Sequence, residues 1–220
     1  FIHFKLSDLT KDVVLDFRQP ADYIYSVSVE GEAVPYKLVN QHIVIEASYF
    51  SKGENTIFIS FRAGDMSLNR NDEFLYTLFV PDRASTAIPC FDQPNLKGRY
   101  LLTLSIPTDW TAIANGPIQS EQVMNDKRVI VFGETRPVST YIFAFTAGKF
   151  KRVSQEKDGR KMTMLHRETD LEKVERNKNE IFDLHSRAIS WMEEYTGIDY
   201  PYQKFDFALI PGFQYGGMEH

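Results

Sequence analysis

The end of the chain carries residues that could bind a peptide. The segment consists of Gly216, Gly217, Met218, Glu219 and His220, and it follows the apolar run 205–210. Adjacent glycines let another backbone approach closely, so an extended peptide could pair with this segment. The carboxylate of Glu219 would then offer an anion to the positively charged end of that peptide. A glycine-bearing turn with a solvated Glu219 and His220 explains the same spacing, and both interpretations stay open at this point.

A second group of reactive residue types lies in a proline-bounded loop. Pro89-Cys90-Phe91-Asp92-Gln93-Pro94 is followed by Lys97, a composition typical of a rigid corner between strands. No histidine or cluster of bases lies near Cys90 in the sequence, which favours a small buried side chain over a reactive thiol. Asp92 is expected to accept hydrogen bonds from backbone amides rather than to perform chemistry.

Metal-ligating residues are sparse. Zinc needs three protein ligands in a catalytic site, and the sequence contains no H-E-x-x-H motif to supply two of them. The histidines other than His220 stand singly, at His3, His42, His166 and His185. We therefore expect no metal site within this chain and no tight binding of zinc by the chain alone.

The elements that must position these residues change character near residue 150. Up to that point, short runs alternate with period two between turn residues, which predicts an antiparallel β domain. The predicted strands span residues 13–17, 23–29, 42–47, 56–61, 74–80, 99–106, 128–132 and 141–145. A hairpin over 151–161 with an Asp158-Gly159 turn and a run at 162–165 follow.

Beyond the hairpin the period changes to that of a helix. Thr169 or Asp170 can cap its start, and Gly197 supplies a left-handed stop. The apolar stripe of this predicted helix consists of Ile181, Leu184, His185, Ala188, Trp191 or Met192, and Tyr195. A strand at 205–210 follows. The change of period predicts two domains, 1–149 and 150–220.

Composition excludes several classes of protein. The 220 residues contain 43% hydrophobic residues, enough for a buried core, and 25 Lys+Arg against 30 Asp+Glu give a net charge of −5. Without a basic patch, nucleic acid is a poor partner. No apolar run approaches the roughly 20 residues that span a bilayer. The chain begins at Phe1 inside a strand-like alternation, so we expect the natural N-terminus to be missing, which leaves a cytoplasmic or exported location open.

The proline-bounded loop and the terminal segment together carry a family resemblance. Pro89-Cys90-Phe91-Asp92-Gln93-Pro94 with Lys97 resembles the P-C-F-D-E-P-x-x-K signature of zinc aminopeptidases related to aminopeptidase N and leukotriene A-four hydrolase. The stretch from Tyr195 through Tyr200-Pro201-Tyr202 to Gly217-Met218-Glu219-His220 is similar to the part of that family that ends in G-x-M-E-N. Order and spacing agree over nearly the whole chain.

The resemblance implies a mainly β fold. Residues 1–149 would be an N-terminal antiparallel β-sandwich-like domain without its first strands, and residues 150–220 the α+β start of a thermolysin-like catalytic domain. It also implies a hydrolase that uses zinc in the full-length enzyme, whose ligands lie outside this chain, and that acts on peptides with a free N-terminus. Gly216, Gly217 and Met218 would line the substrate backbone, and Glu219 would bind the α-ammonium. We expect this chain alone to be inactive.

Two positions depart from the family pattern. His220 stands where the family usually has Asn, which alters hydrogen bonding beside Glu219. Leu78-Phe79-Val80 stands where many members have Gln-x-Glu, so a second carboxylate for the amine is missing. That loss would permit one alternative, a non-catalytic scaffold or interaction protein that keeps the fold but has lost catalysis. A carbohydrate-binding or adhesive β-sandwich is a third interpretation, which leaves the helix and the terminal segment unexplained.

Overall fold

The computed structural model describes residues 1–213 and 216–218, and antiparallel sheets make up most of it. This confirms the predicted mainly β fold. In chain order the strands are β1 (Ile2–Leu6), β2 (Val13–Asp16), β3 (Ile24–Val29), β4 (Glu32–Ala33), β5 (Lys37–Val39), β6 (His42–Ile45), β7 (Gly53–Phe61), β8 (Leu68–Arg70), β9 (Phe74–Thr77), β10 (Thr103–Pro107), β11 (Thr111–Ala114), β12 (Ile118–Met124), β13 (Lys127–Phe132), β14 (Phe145–Gly148), β15 (Lys151–Lys157), β16 (Arg160–His166) and β17 (Lys204–Ala208). The α-helix α1 spans Leu171–Thr196.

The first 148 residues form four sheets, and each of two pairs of sheets packs around a hydrophobic core. The sheet β1-β7-β3-β4 and the sheet β2-β6-β5 share one core, to which Leu15, Ile43 and Ile57 contribute fully buried side chains. The sheets β10-β13-β12 and β11-β14-β9-β8 share another, with Ile130 and Phe132 at its centre. Inward-facing residues from two sheets therefore interdigitate, as in a β-sandwich.

The proline-bounded loop joins these sheets. Cys90 and Asp16 exchange backbone hydrogen bonds of 2.8 and 3.1 Å, which attaches the loop to β2. Asp92 Oδ2 accepts a hydrogen bond from the Ser85 amide at 2.9 Å, and Asp92 Oδ1 accepts one from the Thr140 hydroxyl at 2.7 Å. Asp92 thus satisfies a backbone amide, as the sequence predicts. Burial raises the pKa of the Cys90 thiol, so this cysteine stays protonated and unreactive.

The last part of the described chain forms a separate sheet with one helix. Strands β15 and β16 form a hairpin in which Asp158 and Gly159 both have positive φ, at 51° and 71°. Strand β17 lies parallel to β16, and α1 provides the connection between them. Asp170 Oδ1 accepts a hydrogen bond from the Lys173 amide at 3.0 Å, and Gly197 ends the helix with φ of 68°. Both helix boundaries confirm the prediction.

Several structural predictions differ from the structure. The strand predicted at 99–106 begins only at Thr103, and the one predicted at 74–80 ends at Thr77. Residues 141–145 do not form one strand, because Thr140–Ile142 is a 3-10 helix and β14 begins only at Phe145. The Asn115 side chain accounts for this, since it bonds the Ile142 carbonyl at 3.0 Å and the Ala144 amide at 2.6 Å and so removes both groups from a strand ladder.

The face of α1 that packs on the sheet also differs from the prediction. Phe182, Ser186 and Ile189 are buried, whereas Leu184, Trp191, Met192 and Tyr195 are exposed. Ser186 lies at the middle of the buried face, where its hydroxyl donates to Asp158 Oδ2 at 2.5 Å. Because this central residue is polar, the pattern of hydrophobic residues does not indicate which face of α1 is buried. No helix within residues 1–213 and 216–218 is long and apolar enough to span a membrane.

Candidate functional site

An open cavity of about 690 Å³ lies between the sheet that contains β11 and β14 and the later strand β17. Tyr76, Ala114 and Asn115 line it on one side, and Lys204 and Asp206 line it on the other. The predicted site residues Gly216, Gly217 and Met218 also line this cavity. Glu219 and His220 lie outside the described residues. The structure therefore places three of the five predicted site residues at one concave surface.

The two glycines present open backbone to this cavity. A Cβ atom built on Gly216 or on Gly217 would meet no heavy atom of the described chain within 4 Å. Within the described residues, the space beside both glycines is therefore open. Because glycine has no Cβ atom, two adjacent glycines leave room for another backbone to approach.

The segment that leads to the glycines rests on β9. The Phe213 ring packs edge-to-face on the Tyr76 ring, with centroids 5.8 Å apart. Burial raises the pKa of Tyr76, so its phenol stays protonated at neutral pH. Leu78 and Phe79, just beyond β9, are buried in the protein interior, and Val80 is half-buried. Leu78-Phe79-Val80 therefore directly follows the strand whose Tyr76 contacts Phe213.

Three basic side chains of residues 151–208 contact the first four sheets. Arg152 donates to the Thr111 hydroxyl at 2.7 Å and to the Ala112 carbonyl at 3.1 Å. Arg167 pairs with Glu73 and lies over the Phe74 ring. Lys204 Nζ donates to the Ala114 carbonyl at 2.7 Å. Arg152 thus attaches β15 to β11, Arg167 attaches the end of β16 to the start of β9, and Lys204 attaches β17 to the residue that ends β11.

Sequence reasoning missed Lys204, Asp206 and Asn115. Lys204 and Asp206 alternate with Phe205 and Phe207 in one strand, a pattern that predicts one buried face and one solvated face. Their burial against β11 could therefore not be predicted from the alternation. Asn115 carried no signal either, since its role depends on a loop 27 residues away in the sequence.

The described residues do not fit a zinc site. Within residues 1–213 and 216–218, no three histidine, cysteine, aspartate or glutamate side chains come close enough together to hold a metal ion. His185 stacks on Phe207 with centroids 4.2 Å apart, and its Nδ1 bonds the Ile181 carbonyl at 2.8 Å.

Comparison with known proteins identifies the family. The Peptidase M1 N-terminal domain matches residues 27–142, just over half of the chain. The chain belongs to this family, and the resemblance to aminopeptidase N-like zinc metallopeptidases is thereby confirmed.

Individual relatives agree with this assignment. The chain is 29% identical to "Probable aminopeptidase 2" of Sulfurisphaera tokodaii over 206 residues, which cover 90% of this chain and 26% of the relative. It is 33% identical to "Aminopeptidase M1" of Arabidopsis thaliana over 147 residues, covering 66% of this chain and 16% of the relative. "Puromycin-sensitive aminopeptidase" of Caenorhabditis elegans is 28% identical over 85% of this chain and 20% of its own length. The matched part spans about a quarter or less of these relatives.

Proposed function

We propose that the full-length protein is a zinc-dependent aminopeptidase and that this chain contributes the segment that recognises the substrate N-terminus. Gly216, Gly217 and Met218 would pair with the substrate backbone, Glu219 would bind its α-ammonium, and His220 would adjoin that carboxylate. The zinc ligands would come from residues outside this chain, and residues 1–149 and 150–220 would be separate domains. The observation that carries the proposal is the open backbone of Gly216 and Gly217 in the cavity.

Electrostatic attraction would explain why such a site prefers the N-terminus of a peptide. A carboxylate and an ammonium about 4 Å apart attract each other by about 4 kcal/mol at an effective dielectric of 20, before the cost of desolvation. An internal peptide bond offers no ammonium and gains none of this energy. Glu219 would thus favour the first residue of a peptide over any internal position.

Because of the departure at Leu78-Phe79-Val80, Glu219 would be the main residue that binds the substrate ammonium. Leu78 is buried and apolar, and Val80 is apolar as well, so neither position can supply an anion. Tyr76 in the same stretch of chain contacts Phe213, which supports placing Val80 near the amine site. Glu219 would therefore supply most of the attraction for the ammonium.

The same departure supports a second candidate function, a non-catalytic scaffold that keeps the aminopeptidase fold. Turnover by the full-length protein separates the two. We expect hydrolysis of an unblocked tetrapeptide at a rate at least about tenfold above that of its N-acetylated form, which loses one charge-assisted contact. A zinc chelator should abolish the activity and added zinc should restore it. A zinc-loaded protein that cleaves neither peptide would be the scaffold.

A further inference from the structure

Strand β17 has two chemically different faces. Phe205 and Phe207 point toward α1, where Phe207 packs on Phe182 with ring centroids 5.7 Å apart. Lys204 and Asp206 alternate with them and therefore point to the opposite side, toward β11. The strand thus joins the helix on one side and the first four sheets on the other.

The polar face of β17 is nearly withdrawn from water. The side chains of Lys204 and Asp206 form an ion pair, and they are 13% and 11% exposed. Lys204 Nζ also donates to the Ala114 carbonyl at 2.7 Å. An ion pair in such a place depends strongly on geometry, because each charge has few other partners. Lys204 is therefore held at one position relative to β11.

The acceptor of this hydrogen bond is itself rigid. Asn115 follows Ala114, and its backbone amide donates to the Ala144 carbonyl at 3.2 Å. Its side chain bonds both the Ile142 carbonyl and the Ala144 amide. Ala114 is the last residue of β11, and the next residue, Asn115, makes three hydrogen bonds. The Ala114 carbonyl is therefore held firmly in place. The hydrogen bond from Lys204 to this carbonyl is therefore a tether that holds β17 at a defined position relative to β11.

The tether is close in the chain to the predicted substrate segment. From the end of β17, the Leu209 amide donates to the Leu165 carbonyl at 2.8 Å, and Phe213 then reaches Tyr76. Lys204 and Asp206 line the same cavity as Gly216, Gly217 and Met218. We propose that Lys204 and Asp206 are a positioning pair that holds the glycine segment at the height above β9 and β11 at which a peptide N-terminus binds. The substrate part of this inference rests on the proposed function.

A matched control exists in the same region. Arg160 and Glu193 form a second partly buried ion pair at 2.8 Å, with side chains 16% and 25% exposed. Glu193 Oε1 also accepts a hydrogen bond from the Tyr200 amide at 2.7 Å. This pair links the β15–β16 hairpin to α1 and the loop at Tyr200. Loss of either pair removes a comparable contact, but only the first pair contacts β11 among the described residues.

The test uses the full-length protein and two variants of the positioning pair. Lys204→Met removes the tether and leaves Asp206 without its cation, which could prevent folding. The double variant Lys204→Met with Asp206→Leu replaces both charges by apolar side chains, an exchange that folded proteins often tolerate. Arg160→Met is the control, and Lys204→Arg retains a cation and is the rescue variant.

Hydrogen exchange reports the positioning without any turnover. In the double variant we expect the amides of Leu209 and Phe213, within residues 209–213, to exchange about tenfold faster or more, while Arg160→Met accelerates exchange at the Tyr200 amide instead. Unchanged exchange at 209–213 in a folded double variant would overturn the inference, whatever the enzyme does. Faster exchange in a protein that has no peptidase activity would support the positioning and refute the proposed function.

Kinetics then tests the consequence for substrate. A displaced recognition segment should reduce the ratio of kcat/KM for unblocked against N-acetylated peptides by about 10- to 100-fold, mainly through KM. Lys204→Arg should recover part of this ratio. Arg160→Met should leave the ratio unchanged even if it lowers the melting temperature. An equal loss of the ratio in Arg160→Met and in the double variant would mean that both pairs act only through stability, and would overturn the inference.

Discussion

Residues 1–148 and residues 151–208 bury their apolar side chains in different ways. The first region has a core cluster of eleven buried residues between two sheets, whereas the cluster between α1 and its sheet has four. On the outer side of α1, Trp191 and Tyr195 stack on each other and are 58% and 74% exposed. The stability of the second region thus rests on few side chains. This difference predicts that the second region unfolds more easily and without the first.

The largest effect is expected from truncation within the small cluster. Phe182 is fully buried and packs on Phe207, so Phe182→Ala should destabilise the second region by about 3–5 kcal/mol. Trp191→Ala on the exposed side of the same helix should cost about 0.5 kcal/mol or less. Hydrogen exchange of the two variants should show lost protection at residues 151–208 in the first variant only. Simultaneous loss at residues 1–148 would show that the two regions unfold as one unit.

The proline-bounded loop offers the corresponding test in the first region. Asp92→Ala removes acceptors from the Ser85 amide and the Thr140 hydroxyl, two groups in the protein interior. We expect a loss of about 3 kcal/mol in the free energy of unfolding, measured by urea denaturation. Asp82 forms an exposed ion pair with Arg18, and Asp82→Ala should cost about 0.5 kcal/mol. Similar costs for the two variants would show that the loop does not hold the sheets together.

A pH dependence is expected in the second region. Burial, with a smaller contribution from the charge of Lys151, lowers the pKa of His166 from its usual 6.5. The unfolded chain therefore binds a proton before the folded chain does, so stability should fall as the pH drops below about 6.5. Between the pKa of His166 in the folded chain and its pKa in the unfolded chain, the free energy of unfolding should change by at most about 1.4 kcal/mol per pH unit. His166→Leu should flatten the curve of stability against pH in this window, and an unchanged curve would contradict the assignment.

A smaller effect tests how the two regions meet at the proposed site. In the full-length protein, Val80→Glu introduces an acid at the position where the family resemblance implies one. If Val80 lies beside the bound amine, KM for unblocked peptides should fall about fivefold, equivalent to about 1 kcal/mol. The N-acetylated peptide serves as the control, because it has no ammonium to bind. An equal change in KM for both peptides would place Val80 away from the amine.

The sequence predicts local features better than tertiary ones, and particular residues show why. Asp170 and Gly197 act through their own neighbours in the chain, so the ends of α1 could be predicted. The buried face of α1 could not, because Ser186 depends on Asp158 across the hairpin. The broken strand at 141–145 depends on Asn115 in the same way. At the site, the glycines were visible as a motif, whereas the Lys204 tether to Ala114 required the fold.

The most direct test of the central claim is Glu219→Gln in the full-length protein. The claim is that this carboxylate binds the free N-terminus of the substrate. Its removal should lower kcat/KM for an unblocked peptide by about 10- to 150-fold, equivalent to about 1.5–3 kcal/mol, and should have little effect on the N-acetylated peptide. Glu194→Gln, at an exposed position of α1, is the control and should change neither value. An equal loss for the unblocked and the acetylated peptide would contradict the claim that Glu219 recognises the amine.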